Sequence, residues 1–258
     1  MHDIYLKCPR MGASANMNRR PVLSLSVVSH GQSTLVAQLL SDLENISDND
    51  FEVIITSNLP EDTGAYEGRP YPVQVIQNAV PKGFGANHNA AFQQKRGSFF
   101  AIVNPDIRTP ILEFEALLRL FEQPRVGAVA PVILSPAGTV EDSARRFPTF
   151  ARLVGRRLSR TRHPDYEWNE RPIEVDWVAG MFVVFRQEAF EQLGGFDDKR
   201  FFMYMEDVDI CDRLWQKGWS VLLQPRTSVV HAAQRASHRS VKHLRWHLMS
   251  AFRYLTKL

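Results

Sequence analysis

The chain has 258 residues, 44% apolar and 23% charged, with a formal net charge of +3 at pH 7. That is enough apolar material for one large core and excludes a disordered or fibrous chain, and so small a positive charge gives no reason to expect a nucleic-acid partner. The longest apolar stretch, Trp177 to Phe185, is far shorter than the ~20 residues of a membrane span.

Residues 1–20 mix Gly, Ser, Asn and Arg without periodicity and read as a disordered tail lacking the apolar core of a secretory signal, so a cytoplasmic protein is expected. Cys8 lies in this tail and Cys211 in an apolar helical pattern, so no disulfide is expected. Val22 to Ser29 is strand-like, and Leu35, Leu39, Leu40 and Leu43 set a helix from Ser33 to Leu43. Further strands are expected at Phe51–Thr56, Val73–Ile76, Phe99–Val103, Val126–Ile133 and Val175–Phe185. Gly83 to Gln94 reads as a loop entering a helix. Pro110 suits the first turn of a helix through Phe121, and Ala189–Leu193 is a short helix stopped by Gly194-Gly195. Strands alternating with helices imply right-handed βαβ units and a mostly parallel sheet.

Four features carry chemistry, each with a structural alternative. Gly83-Phe84-Gly85-Ala86-Asn87-His88 begins like a dinucleotide fingerprint but has His88 at the third glycine position. It is either a tight turn before a helix or a backbone approach to a diphosphate or ribose. Asn104-Pro105-Asp106 is either a turn or the source of one carboxylate for a Mg2+ or Mn2+ ion completed by phosphate oxygens and water. Glu206-Asp207-Val208-Asp209 is either an acidic first turn or, given the Phe201-Phe202-Met203-Tyr204-Met205 run before it, a desolvated general base. His231 ends a strand and is either structural or a ligand. The HExxH, GxxxxGK and GxSxG patterns of zinc proteases, P-loop enzymes and serine hydrolases do not occur.

Taken together with Ser26-Val27-Val28-Ser29-His30, Asp176-Trp177-Val178-Ala179-Gly180 and the run from Gly194-Gly195-Phe196-Asp197 to Asp209, these segments resemble the family 2 glycosyltransferases. Those are inverting enzymes of GT-A fold, and the resemblance is greatest to the bacterial rhamnosyltransferase branch. It covers residues ~22–240. It implies an α/β, Rossmann-like domain over residues 21–232, after the 1–20 tail and before a basic amphipathic helix at 233–258. It further implies Asp207 as catalytic base, with Glu206 orienting the acceptor. Asp106 and His231 would hold a Mg2+ or Mn2+ ion. Ser29, His30, Ser57, Asn58, Lys82, Gly83, Asn89 and Asn104 would lie along the nucleotide-sugar donor, and Trp177 and Gly180 on the acceptor side. Two departures stand out: the usual carboxylate at the end of the second strand is replaced by Ser57-Asn58, and the first acid of the metal element is Asn104.

The implied reaction moves a sugar, rhamnose by the nearest resemblance, from a nucleoside diphosphate to a lipid-linked or growing cell-surface glycan. A hexose or galactofuranose donor is the first alternative, and a non-catalytic nucleotide-sugar-binding subunit the second. Residues 145–171 hold eight arginines, Arg145 and Arg146 among them, with an apolar stripe of Phe147, Phe150, Leu153, Val154 and Leu158. Arginine forks suit phosphate, so this segment is expected to meet a lipid-diphosphate acceptor or anionic lipid. In the C-terminal segment Val241, Leu244, Leu248, Phe252, Leu255 and Leu258 share one helical face. That face is expected to lie on a membrane, peripherally on the cytoplasmic side of the inner membrane, or else on the domain or in a homodimer.

Overall fold

A computed structural model of the protein describes residues 20–46, 50–152, 164–232 and 241–257. The apolar runs form strands β1 (Leu23–Ser29), β2 (Phe51–Ser57), β3 (Val73–Gln77), β4 (Phe99–Val103), β5 (Ile107–Ile111), β6 (Val126–Leu134), β7 (Ala144–Arg145), β8 (Ile173–Glu174), β9 (Trp177–Val178), β10 (Phe182–Arg186) and β11 (Ser220–His231). The 3.6-period segments form helices α1 (Ser33–Leu43), α2 (Phe84–Phe92), α3 (Phe114–Leu118), α4 (Gln187–Gln192), α5 (Glu206–Gln216) and α6 (Val241–Thr256). The proposed N-terminal tail and parts of the arginine-rich and C-terminal segments lie outside the described residues.

The central sheet runs β3-β2-β1-β4-β10-β6-β11-β5, with β8 paired to β11. β3, β2, β1 and β4 are parallel, as are β6 and β11, while β10 is antiparallel between β4 and β6. Helices cover both faces, so the central strands bury alternate residues in two cores. Val53 and Ile55 join Leu39, Leu40 and Phe114 on one face, while Ile54, Phe100 and Ile102 join Phe190, Phe196 and Leu214 on the other. Each fully buried Phe or Leu contributes roughly 1.5–3 kcal/mol. From β1 the chain steps outward to β2 and β3, then returns to β4 on the other side. The carboxyl ends of β1 and β4 therefore flank a switch point, where an open α/β sheet forms its ligand crevice.

Two sequence expectations are corrected. Pro110 does not open a helix: it lies in β5, a sheet-edge strand antiparallel to β11 with Ile107 opposite His231. Proline is tolerated there because an edge strand does not need every N–H. The run from Val175 to Phe185 is not one strand either. It breaks between β9 and β10, where the Met181 N–H donates to the Ala179 carbonyl at 2.7 Å and the chain turns toward α5.

The C-terminal helix α6 docks on the domain. Tyr254 is buried with Phe201, Met205 and Val208, and the Ser250 hydroxyl donates to the Met203 carbonyl at 2.8 Å. Leu248 and Phe252 remain 61% and 57% exposed on its outer side.

Candidate active site

At the end of β2, the amide of Asn58 clasps the loop before α2. Its Nδ2 donates to the Lys82 carbonyl at 2.9 Å, and its Oδ1 accepts the Lys82 N–H at 2.8 Å. Asn78 links Asn58 to Asn87 through bonds of 2.9 and 2.7 Å, and His30 Nδ1 meets Asn58 Nδ2 at 3.3 Å. Ser29, His30, Asn58 and Lys82 are thus brought to one rim. The Ser29 hydroxyl donates to Glu61 Oε2 at 2.7 Å, and the Tyr66 hydroxyl to Glu61 Oε1 at 3.2 Å. Sequence reasoning missed Glu61. It places a carboxylate beside the neutral Ser57-Asn58 pair, and the available signal was the Leu59-Pro60-Glu61-Asp62 loop directly after the strand.

The glycines of the Gly83 loop have a packing reason. A Cβ on Gly83 would collide with the Phe202 carbonyl oxygen, which accepts the Phe84 N–H at 3.0 Å, and one on Gly85 would press on Phe196. His88 is buried, bonded through Nδ1 to the Ser26 hydroxyl at 2.8 Å, and burial pushes it down to about 3, so it is a neutral core histidine. Asn89 does not join the donor rim. Its Nδ2 donates to the Phe196 carbonyl at 2.8 Å and its Oδ1 accepts the Phe196 N–H at 2.9 Å. The sequence could not distinguish this tie to the Gly195 loop from a ligand contact.

Opposite this rim, Tyr204 and Met205 adopt left-handed backbone at φ 70° and 68°, a conformation costly for non-glycine residues. The turn is held by the Phe201–Tyr254 cluster beneath it, so α6 braces the start of α5. It sets Glu206 and Asp207 side by side in the first turn of α5, where the helix dipole favours negative charge. Asp207 receives two backbone donors, the Gly180 N–H to Oδ2 at 3.1 Å and the Val208 N–H to Oδ1 at 2.9 Å. Glu206 is buried and its Oε2 has no partner among the described residues. Burial pushes both carboxyls up, Glu206 well above the usual range because Asp207's charge adds to desolvation, whereas backbone donors and nearby Arg145 restrain Asp207. The two N–H donors thus favour the charged form of Asp207, and Glu206 Oε2 has no such donor among the described residues. Asp209, by contrast, is spent on Arg213 at 2.7 Å and Arg200 at 3.2 Å.

A consequence for stability follows. Because the folded protein raises Glu206, its stabilising state is the protonated one, fully present below the usual value of 4.5 and lost as pH rises through the folded value. Glu206→Gln, which is neutral at every pH, is expected to be more stable than wild type at pH 8. The gap should open as pH rises above 4.5 and should close by pH 4. Urea unfolding at the two pH values checks this, and a gap independent of pH would be inconsistent with it.

Asp106, His231 and Glu141 form the third cluster. His231 Nε2 lies 3.3 Å from Asp106 Oδ2, and Nδ1 lies 2.9 Å from Glu141 Oε2. Its position follows from strand pairing, since His231 stands opposite Ile107, next to Asp106. The hydrogen bond to Asp106, aided by Glu141, lifts the imidazole to about 9. Asp106 Oδ1 is buried without a hydrogen-bond partner among the described residues. No group of three or more His, Cys, Asp or Glu side chains converges as a metal cage among the described residues. A divalent ion nevertheless fits: Asp106 would supply one ligand and His231 Nε2, on release of its proton to solvent, a second, with diphosphate oxygens and water the rest. Glu141, 90 residues from His231 and unpredicted, would then hold Nδ1–H and orient the ring. Asn104 sits beside them, its N–H donating to the Met181 carbonyl at 2.9 Å.

Arg145 ends β7, which pairs with β9, and Arg146 follows it directly. The Arg145 guanidinium lies 5.6 Å from the Trp177 ring centre, and the Trp177 indole N–H donates to the Arg146 carbonyl at 3.0 Å. Trp177, Gly180, Arg145 and Asp207 are therefore neighbours.

The fold is of GT-A type. The mannosyltransferase PcManGT from Pyrobaculum calidifontis, solved in complex with GDP-Man and Mn2+, superposes with a TM-score of 0.62 at 18% identity; 92% of this chain spans 65% of that one. The chain belongs to the family described as glycosyltransferase like family 2, whose model matches residues 19–248, and it is a glycosyltransferase. It is 29% identical over 265 residues to the N-acetylglucosaminyl-diphospho-decaprenol L-rhamnosyltransferase of Mycobacterium tuberculosis, covering 91% of this chain and 84% of that protein. It is likewise 29% identical over 250 residues to the rhamnosyltransferase WbbL of Escherichia coli, covering 90% and 91%.

Proposed function

We propose that the protein transfers rhamnose, with inversion, from a nucleoside-diphosphate donor to a hydroxyl of a saccharide carried on a lipid diphosphate. The sugar and the acceptor class rest on likeness to the two rhamnosyltransferases. The observation that carries the chemistry is the pair of N–H donors on Asp207, from Gly180 and Val208, which hold this acid beside Trp177 and Arg145. Asp207 takes the proton of the acceptor hydroxyl while that oxygen forms a bond to the anomeric carbon. The bond to the diphosphate breaks in the same displacement, and the nucleoside diphosphate leaves with the electron pair. Asp106 and His231 would hold Mg2+ or Mn2+, which supplies charge neutralisation to the diphosphate. Asn58, Lys82, His30 and Glu61 line the nucleoside side, and Arg145 and Arg146 face the acceptor diphosphate. The test is release of nucleoside diphosphate from rhamnose, hexose and galactofuranose donors with the lipid-diphosphate acceptor. The reading expects rhamnose to be at least ~100-fold preferred in kcat/KM, and equal use of another donor would overturn the sugar assignment.

No helix among the described residues is long and apolar enough to cross a membrane. The outer side of α6, however, exposes Leu248, Met249 and Phe252 beside Arg245. This face is proposed to lie on an anionic bilayer at the cytoplasmic side, where a lipid-linked acceptor would be met. Replacing Leu248 and Phe252 by Glu is expected to reduce sedimentation with anionic vesicles about tenfold or more, since each buried side chain is worth roughly 1.5–3 kcal/mol. Donor binding should be unchanged. Undiminished vesicle binding would refute α6 as the contact, and a change from dimer to monomer would assign the face to a second copy.

A further inference from the structure

An open cleft of about 520 Å³ is walled by Val140, Glu141, Asp142, Tyr166, Glu167 and Trp168. That volume lies within the ~300–1,000 Å³ of small-molecule sites. Of these residues only Glu141 has a place in the site described above, yet the wall is joined to that site at three points. Glu141 bonds His231, Asp142 pairs with Arg145 at 3.1 Å, and the carbonyl of the next residue, Ser143, accepts the Ala179 N–H at 2.8 Å. Ala179 precedes Gly180, the residue that donates to Asp207.

The aromatic members are fixed in place. The Tyr166 hydroxyl donates to Asp176 Oδ1 at 2.7 Å and accepts the Asp176 N–H at 2.8 Å, while the Arg146 guanidinium covers its ring at 5.2 Å. Trp168 is half-buried against the second core. A rigid indole offers a flat apolar platform for the C–H face of a pyranose, and the carboxylates offer strong acceptors for its hydroxyls. The charge sorts the ligand: Glu141, Asp142 and Glu167 repel a diphosphate, and the arginines that would attract one stand at the cleft's edge.

We infer that this cleft is the acceptor's saccharide subsite. It takes a neutral sugar ring on Trp168 with hydroxyls donated to Glu141 and Glu167, and leaves the diphosphate to Arg145 and Arg146. The inference rests on the acceptor class proposed above. Its test uses the full chain and an N-acetylglucosaminyl diphosphate carrying a short alkyl chain, titrated calorimetrically in the presence of nucleoside diphosphate. Trp168→Ala is expected to weaken probe binding about tenfold or more and leave nucleoside diphosphate binding unchanged, with Trp168→Phe restoring most of the affinity. Glu167→Gln, on the exposed lip and without consequence for folding, is expected to lose about threefold. Wild-type affinity in Trp168→Ala and Glu167→Gln, or no binding of the probe by wild type, overturns the subsite. Binding that wild type shows and Trp168→Ala loses supports it even if no sugar is transferred, a result that would instead count against the transfer reaction.

Discussion

Asp207→Asn is expected to lower kcat for sugar transfer by about 10²–10⁴-fold, the usual contribution of a positioned general base. The substitution keeps the size of the side chain and leaves a carbonyl oxygen for the Gly180 N–H, so the β9–β10 turn and the acceptor wall should persist. It removes the carboxylate that the Gly180 and Val208 N–H groups hold. Affinity for nucleoside diphosphate, read by thermal stabilisation with dTDP, UDP or GDP, should stay within about twofold. Glu206→Gln should be far milder, because the backbone donors that favour a charged carboxylate are on Asp207 and Glu206 Oε2 has none among the described residues. Near-normal turnover in Asp207→Asn, or an equal loss in Glu206→Gln, would remove Asp207 from the role.

Asp106→Ala is expected to have the second largest effect. The variant removes the buried oxygen that has no partner among the described residues, and with it one of the two carboxylates facing His231. The thermal stabilisation that Mn2+ adds to nucleoside diphosphate binding should largely vanish. The metal-dependent part of the affinity should fall by at least ~10–100-fold, the loss typical even of outer partners in a metal site. The fold should survive, since Asp106 makes its structural bond through its main-chain carbonyl, which accepts the Ala232 N–H at 2.8 Å. Metal-dependent stabilisation equal to wild type would show that the ion is held elsewhere.

These two expectations differ in how far the sequence alone could reach them. α1, β1, β4 and the start of α5 were legible because their apolar spacing is set by burial within a few residues. The neighbouring acids Glu206 and Asp207 were legible as a motif. Which of them the backbone holds was not, because one of its two donors is the N–H of Gly180, 27 positions away. Glu141 was invisible for the same reason: only the pairing of β11 with β5 and the course of the chain after β6 bring it to His231. Pro110 misled because a local helix-start signal lost to edge pairing with β11. The Gly83 loop has a packing role that its sequence did not show: a Cβ there would meet the Phe202 carbonyl that anchors the turn before Glu206, so one motif supports the other. Asn89 likewise proved to be a tie between α2 and the Phe196 loop.

The central claim is a single displacement at the anomeric carbon driven from Asp207. The most direct test is nuclear magnetic resonance of the product formed from a nucleoside-diphosphate rhamnose and the lipid-diphosphate acceptor with Mn2+. A new glycosidic bond of anomeric configuration opposite to the donor's, absent with Asp207→Asn, is the result expected. Retained configuration, or the same product at the same rate from Asp207→Asn, would contradict it.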